Sequence, residues 1–152
     1  MSPIRIKLAS YCSYQERCTS EVKKKLVSFE LPSEKEEAII EWLKEERYLD
    51  DQRYAVEYAN GKFRLKGWGK VKIKFELKKK AINTTLINKA LETITDDDYL
   101  SRLEGIVEKK ELQLSKYSGL VKKQKLITYL QGRGYEWEFI QKVIHKSEST
   151  LE

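Results

Sequence analysis

The sequence predicts an all-α protein of three tandem three-helix repeats that form an elongated, curved array. Three observations lead to this prediction. A pattern of apolar residues recurs three times along the 152-residue chain. Apolar residues within each copy lie three or four positions apart, which is the spacing of one helix face. The prolines are Pro3 and Pro32, so about 120 residues lack the strongest helix breaker.

The repeat register follows from aligning the three copies on their apolar positions. The second copy matches the third without a gap, and it matches the first with a three-residue insertion after Pro32. The matched positions are Val22, Ile73 and Leu126, then Leu26, Leu77 and Leu130, then Leu31, Ile82 and Tyr135. We therefore expect repeats at residues 5–49, 50–95 and 96–148. A unit of this size buries little apolar surface alone, so neighbouring repeats should pack on one another.

Each repeat is expected to contain a helix, a second helix that ends in a short turn, and a third helix. Aspartates suit a helix start, because their side chains accept amide hydrogens and their charge favours the positive dipole end. Asp50-Asp51 and Asp96–Asp98 are therefore expected to open the first helix of repeats two and three. Turns are expected at Pro32-Ser33, at Asn83-Thr84 and at Gly132–Gly134.

The segment 70–80 has two possible interpretations. Val71, Ile73, Phe75 and Leu77 alternate with charged residues, which is typical of a half-buried strand. The third copy, however, contains Leu126, Ile127 and Leu130 in this register, and these three cannot share one face of a strand. We therefore predict a helix, in which the alternation is accidental.

Positive charge is concentrated in the same region. Residues 62–80 hold nine lysines or arginines against the single acid Glu76, whereas the net charge of the whole chain is +6. A solvated helix face is the simplest explanation, but stabilising helix pairs would place acids among the lysines. A polyanion or an acidic protein surface is the better partner. Six cations on phosphates would give a slope of about −5 in log affinity against log salt.

Trp68 lies between Gly67 and Gly69 in the connector before this helix. It is either a plug that closes the helix junction or an exposed ring that contacts a partner. Trp42 falls in the aligned apolar register and is expected in the core. Trp137, in a first helical turn, could have either role.

Catalysis and metal binding have no support in the sequence. There is no nucleophile motif, phosphate-binding loop or Cys/His cluster, so we expect neither an enzyme, nor a cofactor, nor a metal site. Cys12 and Cys18 are interpreted as structural thiols, and His145 as a solvated histidine at a helix end. The longest stretch without a charged residue is eight positions, so we expect no membrane span and a cytoplasmic protein.

Two stretches resemble a known family, the RecX regulatory proteins. In YLDDQRYAVEYANGKFRLKGWGKVKIKFELKKKAI (48–82) the shared elements are Leu49-Asp50-Asp51, Tyr54-Ala55, Lys66–Gly69 and Glu76-Leu77. In KKQKLITYLQGRGYEWEFIQKVI (122–144) the shared element is the turn from Leu130 to Tyr135. The chain departs from the family at Ala81, where members often have glycine.

The resemblance implies a regulator of homologous recombination, DNA repair and the SOS response. Such a protein binds the RecA recombinase filament on single-stranded DNA, and duplex DNA more weakly. It dampens ATP hydrolysis, strand exchange and filament extension, has no chemistry of its own, and is expected to be a monomer. The expected contact residues are Lys62, Arg64, Lys66, Gly67, Trp68, Gly69, Lys70, Lys72, Lys78, Lys79, Lys122, Lys123 and Arg133.

Charge reversal at Lys70, Lys72 and Lys79 is expected to weaken filament binding without changing the thermal midpoint. Two alternatives stay open. A helical-repeat protein could bind duplex DNA or RNA directly, although 70–80 has no Asn, Gln or Arg for reading base edges. A purely structural adaptor for an acidic protein would have no DNA affinity.

Overall fold

The computed structural model describes residues 2–150, with side chains described as far as residue 146. Residues 2–150 contain α-helices and one π-helical turn, joined by turns and loops, and no strand occurs among them. The helices are α1 Pro3–Tyr14, α2 Thr19–Val27, α3 Ser33–Glu45, α4 Asp51–Gly61, α5 Lys70–Lys79, α6 Thr84–Glu92, α7 Asp96–Gln113, α8 Gly119–Gly132 and α9 Trp137–Thr150. The π-helical turn Lys62–Lys66 continues α4. The all-α prediction is confirmed, and the segment 70–80 is a helix.

The chain divides into two compact units. The first unit comprises Met1–Tyr58 and Leu77–Ala90, and the second comprises Ala59–Glu76 and Leu91–Glu152. In the first unit α3 packs against both α1 and α2. The core of these helices consists of Leu8, Cys12, Val22, Leu26, Ile39, Ile40, Leu43 and Leu49. Trp42, expected in the core, is half-buried at the edge of this cluster, with the Arg5 guanidinium 5.3 Å from its ring centre.

The second unit contains the mutually packed helices α7, α8 and α9. Tyr99 of α7 is fully buried at the centre of an aromatic cluster. Its ring centre lies 5.9 Å from that of Phe63, 5.1 Å from that of Tyr135 and 5.0 Å from that of Phe139. Aromatic side chains bury more apolar area than other residues, so this cluster ties the π-helical turn to α7 and α9.

The repeat register is visible in burial. Val22, Ile73 and Leu126 are each at most 4% exposed, and Leu26, Leu77 and Leu130 are completely buried. These pairs lie four residues apart in the second helix of each repeat, so they fall on one helix face. Val71 and Phe75, which completed the apparent strand alternation, are instead 54% and 60% exposed on the other side of α5.

The helix ends follow the expected chemistry with one difference. Asp50 Oδ1 accepts a hydrogen bond from the Arg53 amide at 3.0 Å and caps α4. At α7 the cap is Thr95, whose hydroxyl accepts from the Asp98 amide at 3.2 Å. Asp96–Asp98 occupy the first turn, where their charges favour the helix dipole without capping it.

Both cysteines are buried and free. Burial raises the pKa of the Cys12 thiol to about 11, and it also raises the pKa of Cys18. A thiol that stays protonated is a poor nucleophile and metal ligand, so both behave as small apolar residues.

Candidate nucleic-acid interface

The connector before α5 is shaped by its glycines. Gly67 ends the π-helical turn in the left-handed region, with φ of 67°. A Cβ atom on Gly67 would lie 2.8 Å from Nη2 of Arg133 and 3.2 Å from Nη2 of Arg102. Because Gly67 is also buried, its role is to form the connector, and its side-chain position is closed to a partner.

Gly69 makes a direct backbone contact with the turn after α8. A Cβ on Gly69 would lie 2.3 Å from the carbonyl oxygen of Gly134. A Cβ on Gly134 would lie 2.4 Å from the Cβ atom of Lys72. The Gly69 amide donates to the Arg133 carbonyl at 2.8 Å, and the Val71 amide donates to the Gly134 carbonyl at 2.9 Å. Only glycine permits this approach, so the buried Gly69 is required to bring the two backbone segments together.

Two arginines bind the carbonyl groups at the end of the π-helical turn. Arg102 Nη2 donates to the Arg64 carbonyl at 3.2 Å. Arg133 donates through Nη2 to the Lys66 carbonyl and through Nε to the Gly67 carbonyl at 3.4 Å. Carbonyl groups at a helix end lack partners within the helix, and cations there also favour the dipole. Arg133, expected at the interface, is therefore half-buried and holds the connector.

Tyr99 and Lys70 fix the start of α5. The Lys70 amide donates to the Tyr99 hydroxyl at 2.8 Å, and that hydroxyl donates to Oε1 of Glu136. The Lys70 ammonium donates to the Ile94 carbonyl at 3.1 Å and lies 5.0 Å from the Tyr99 ring centre. Burial, reinforced by the bond to Glu136, raises the pKa of Tyr99. Lys70 thus has a structural role, and its charge reversal should change stability, contrary to the sequence-based expectation.

Tyr135 supports the same connector from the α8–α9 turn. Its hydroxyl donates to the Gly67 carbonyl at 3.0 Å, and burial raises the pKa of Tyr135 to about 12. The hydroxyl therefore remains a donor at neutral pH. At the start of α5 the Lys70 amide donates to the Tyr99 hydroxyl, and the Val71 amide donates to the Gly134 carbonyl.

Trp68 is half-buried between two lysines. The ammonium groups of Lys62 and Lys72 lie 5.1 Å and 4.6 Å from its ring centre, within the range of cation–π attraction. The Trp68 amide also donates to the Lys62 carbonyl at 3.2 Å. The indole therefore packs with the connector and lies within cation–π range of two lysines of the basic segment.

The remaining predicted contact residues face solvent to different degrees. Arg64, Lys66, Lys78, Lys79 and Lys123 are exposed, whereas Lys62, Lys72 and Lys122 are half-buried. The second unit contains all of them except Lys78 and Lys79, which belong to the first. The first unit thus exposes Lys78 and Lys79, and the second unit exposes Arg64, Lys66 and Lys123. The basic residues that bind backbone carbonyls, Lys70 and Arg133, are part of the scaffold.

Arg102 has no distinguishing signal in the sequence, whereas the exposed position of Phe75 has one in helical periodicity. Arg102 looks like any helix-surface arginine, because its acceptors are carbonyls 38 and 39 positions earlier. Phe75 was counted in the apolar alternation, yet its ring is 60% exposed among the α5 lysines. A helical-wheel plot would have placed Phe75 opposite Ile73 and Leu77.

Two other kinds of feature are absent from the part of the chain that the structure describes, a metal-binding cluster and a membrane-spanning helix. In residues 2–150, no group of three or more His, Cys, Asp or Glu side chains could hold a metal ion. No helix in this part of the chain is long and apolar enough to cross a membrane.

Two family models match the chain. The model of the second three-helix domain of RecX matches residues 50–91, and the model of the third three-helix domain matches residues 96–144. Curated relatives named regulatory protein RecX match a larger part. The protein of Clostridium acetobutylicum is 36% identical over 133 residues, which cover 82% of this chain and 59% of that protein. The protein of Pelodictyon phaeoclathratiforme is 33% identical over 124 residues, covering 82% and 76%.

The curated relatives are mostly longer than the matched region. A regulatory protein RecX of Bacillus cytotoxicus is 30% identical over 132 residues, and the match spans 49% of its length. All three relatives are named as regulatory proteins and not as enzymes.

Solved structures agree with the helical fold. The crystal structure of RecX from Lactobacillus salivarius superposes with a TM-score of 0.88 at 27% identity, covering 93% of this chain and 92% of that chain. A second crystal structure, of a regulatory protein RecX, superposes with a TM-score of 0.82 at 24% identity, covering 93% and 71%. The second likeness shows the fold alone.

Proposed function

Because the chain belongs to the RecX family of regulatory proteins, we propose that it binds the filament of RecA recombinase on single-stranded DNA and lowers its activity. The affected steps are ATP hydrolysis, strand exchange and filament extension. The proposed regulator is a cytoplasmic monomer with no cofactor, and its effect comes from binding alone.

The distribution of charge is the observation that carries this proposal. Exposed cations at Arg64, Lys66, Lys78 and Lys79 come from a segment with one acidic residue. Cations on helical surfaces neutralise phosphates without reading sequence, which suits a partner whose DNA sequence varies. The solvent side of α5 presents lysines with Val71 and Phe75, and residues 70–80 contain no Asn, Gln or Arg for base-edge contacts.

We further propose that the chain acts as three repeats, at residues 5–49, 50–95 and 96–148. The matches to a second and a third three-helix domain support the last two boundaries. Repeats of one design can present equivalent surfaces to the equivalent subunits of a filament, so one molecule could contact several RecA protomers.

The test is ATP hydrolysis by the cognate RecA on single-stranded DNA, with this protein titrated in at fixed salt. A fall in rate at amounts well below those of RecA supports filament regulation, because simple competition for DNA needs comparable amounts. An unchanged rate, together with tight binding to bare duplex DNA, would contradict the proposal and favour a direct duplex binder. An unchanged rate with no DNA affinity would favour an adaptor for an acidic protein.

A further inference from the structure

A groove between α8 and α9 has the features of a site for a planar, anionic ligand. It lies within the second unit and encloses about 420 Å³. The α8 side contributes Lys123 and Ile127, and the α9 side contributes Trp137, Gln141, Ile144 and His145. A volume of this size lies in the usual range of about 300–1,000 Å³ for ligand sites.

The floor of the groove is apolar and its wall is aromatic. Ile144 is 7% exposed and Ile127 is half-buried, whereas Trp137 is 48% exposed. Trp137, Gln141 and His145 follow one another at four-residue intervals, so they line one face of α9. Tryptophan is highly buried on average, and an indole left half-exposed beside an apolar floor can gain by stacking on a ligand.

The rim of the groove is cationic. Lys123 and Lys142 are exposed, and Lys142 lies 3.9 Å from a carboxylate oxygen of Glu138. The side chains of that pair are 59% and 72% exposed, so their mutual attraction is weak in water. The ligand should thus combine a flat apolar part with negative charge, which describes a nucleotide of a single strand. In a duplex the same flat surfaces are covered by base stacking.

We propose that the α8–α9 groove binds one base of single-stranded DNA, with Trp137 stacked on the base and the Lys123 and Lys142 ammonium groups facing the adjacent phosphates. This assignment rests on the proposed function, which supplies the single-stranded DNA, and it adds a contact region lined by residues of α8 and α9. The exposed indole supplies affinity for any base, because every base has a π face.

The test measures fluorescence anisotropy of a labelled twelve-residue oligo(dT) with the full chain at fixed salt. Trp137→Ala should weaken affinity about 5- to 150-fold, the usual loss for one stacked base, while Trp137→Phe retains an aromatic face and most of the affinity. The matched control is Tyr14→Ala, which removes an 84%-exposed aromatic from α1 and should leave affinity unchanged. Equal affinities of Trp137→Ala and the wild type would overturn the proposal.

An oligomer of equal length with abasic residues separates stacking from charge. The wild type should bind the abasic oligomer about as weakly as Trp137→Ala binds oligo(dT). The affinity of Trp137→Ala should differ little between the abasic oligomer and oligo(dT). Oligo(dT) should also quench a part of the intrinsic fluorescence that Trp137→Phe lacks. If an acidic peptide or duplex DNA occupies the groove more tightly than oligo(dT), the proposal is wrong.

The RecA assay keeps this proposal separate from the proposed function. Suppose that the wild-type protein lowers ATP hydrolysis and that Trp137→Ala binds oligo(dT) as tightly as the wild type. The groove assignment would then be wrong, and the proposed regulation of RecA would still hold. If the wild-type protein neither lowers ATP hydrolysis nor binds oligo(dT), both the groove assignment and the proposed function are wrong.

Discussion

A positive backbone φ follows the second helix of each repeat. The values are 51° at Glu30, 60° at Ala81 and 94° at Gly134, and these are the aligned positions of the three copies. After α5 the Ala81 amide donates to the Lys78 carbonyl at 2.9 Å, and the Ile82 amide donates to the Leu77 carbonyl at 3.3 Å. This pair of bonds closes a helix in the way that normally favours glycine. The alanine in place of the family's frequent glycine therefore leaves the turn unchanged and adds strain.

Relief of this strain is measurable. Ala81→Gly should raise the free energy of unfolding by about 0.5–1 kcal/mol, because a left-handed residue with a Cβ costs about 1–2 kcal/mol and glycine recovers part of this. Urea titration followed by circular dichroism gives the value. The control is Ala38→Gly on an exposed turn of α3, which should lower stability by about 1 kcal/mol. Equal losses in the two variants would show that Ala81 is not strained.

The close contact of Gly69 predicts that a substitution there lowers stability. Gly69→Ala would place a Cβ 2.3 Å from the Gly134 carbonyl oxygen, so the backbone must shift, and stability should fall by about 2 kcal/mol or more. Gly105→Ala is the control, because its new methyl group meets no atom within 4 Å in the middle of α7. That variant should gain about 0.5–1 kcal/mol in helix propensity. Thermal unfolding of both variants measures these changes. A Gly69→Ala variant as stable as the wild type would disprove the close contact.

At the scale of one element, some residues of α5 pack or bind within the protein and others face solvent. Ile73 and Leu77 bury one side, Lys70 binds the Ile94 carbonyl, and Lys78 and Lys79 remain exposed. Charges of the same sign in one helix therefore have different roles. Their positions around the helix, and what packs against each position, determine which role each one has.

Charge reversal at Lys70 and at Lys78 should separate these roles. Lys70→Glu removes the bond to Ile94 and places a carboxylate beside a carbonyl, so its thermal midpoint should fall by several degrees. Lys78→Glu should keep its midpoint within about one degree and weaken filament binding, since it alters an exposed site only. Lys109→Glu, an exposed change of equal charge on α7, is the control for net charge. Similar midpoints for Lys70→Glu and Lys78→Glu would contradict the assignment.

Periodicity is what made α5 predictable as a helix. In the third copy Leu126, Ile127 and Leu130 cannot share one face of a strand, and the aligned residues Val22, Ile73 and Leu126 are all buried. The connector could not be predicted, because its partners are far away in the chain. Arg133 is 67 positions from the Lys66 carbonyl, and Tyr99 is 29 from the Lys70 amide. Composition identified the basic segment correctly, but burial decided which of its cations reach solvent.

At the scale of the whole molecule, binding should depend steeply on salt. Six cation–phosphate contacts on a single strand correspond to a slope of about −4 in log affinity against log salt, because each contact contributes about 0.7. Oligo(dT) binding measured from low to moderate salt gives the slope. Lys78→Glu should make it shallower by about one contact, and Lys109→Glu should leave it unchanged. A slope near zero in the wild type would exclude phosphate contacts as the source of affinity.

The resemblance inferred from residues 48–82 and 122–144 is confirmed by family models that match 50–91 and 96–144. The resemblance rested on motif elements such as Lys66–Gly69 and the turn from Leu130 to Tyr135, and within them Gly69 and Gly134 are in close backbone contact. The sequence has no comparable signal for which surface cations contact a partner. The fold was therefore easier to predict than the identity of the residues that contact a partner.

The contact between Gly69 and Gly134 has a consequence for synthesis on the ribosome. The two residues are 65 positions apart, and the Val71 amide receives its acceptor only from the later one. At roughly 5–20 residues per second, translation takes roughly 3–13 s to cover that distance. During this interval the Val71 amide in the first turn of a nascent α5 lacks its acceptor. Ribosome-bound intermediates should then be open to proteases at the connector until Gly134 emerges.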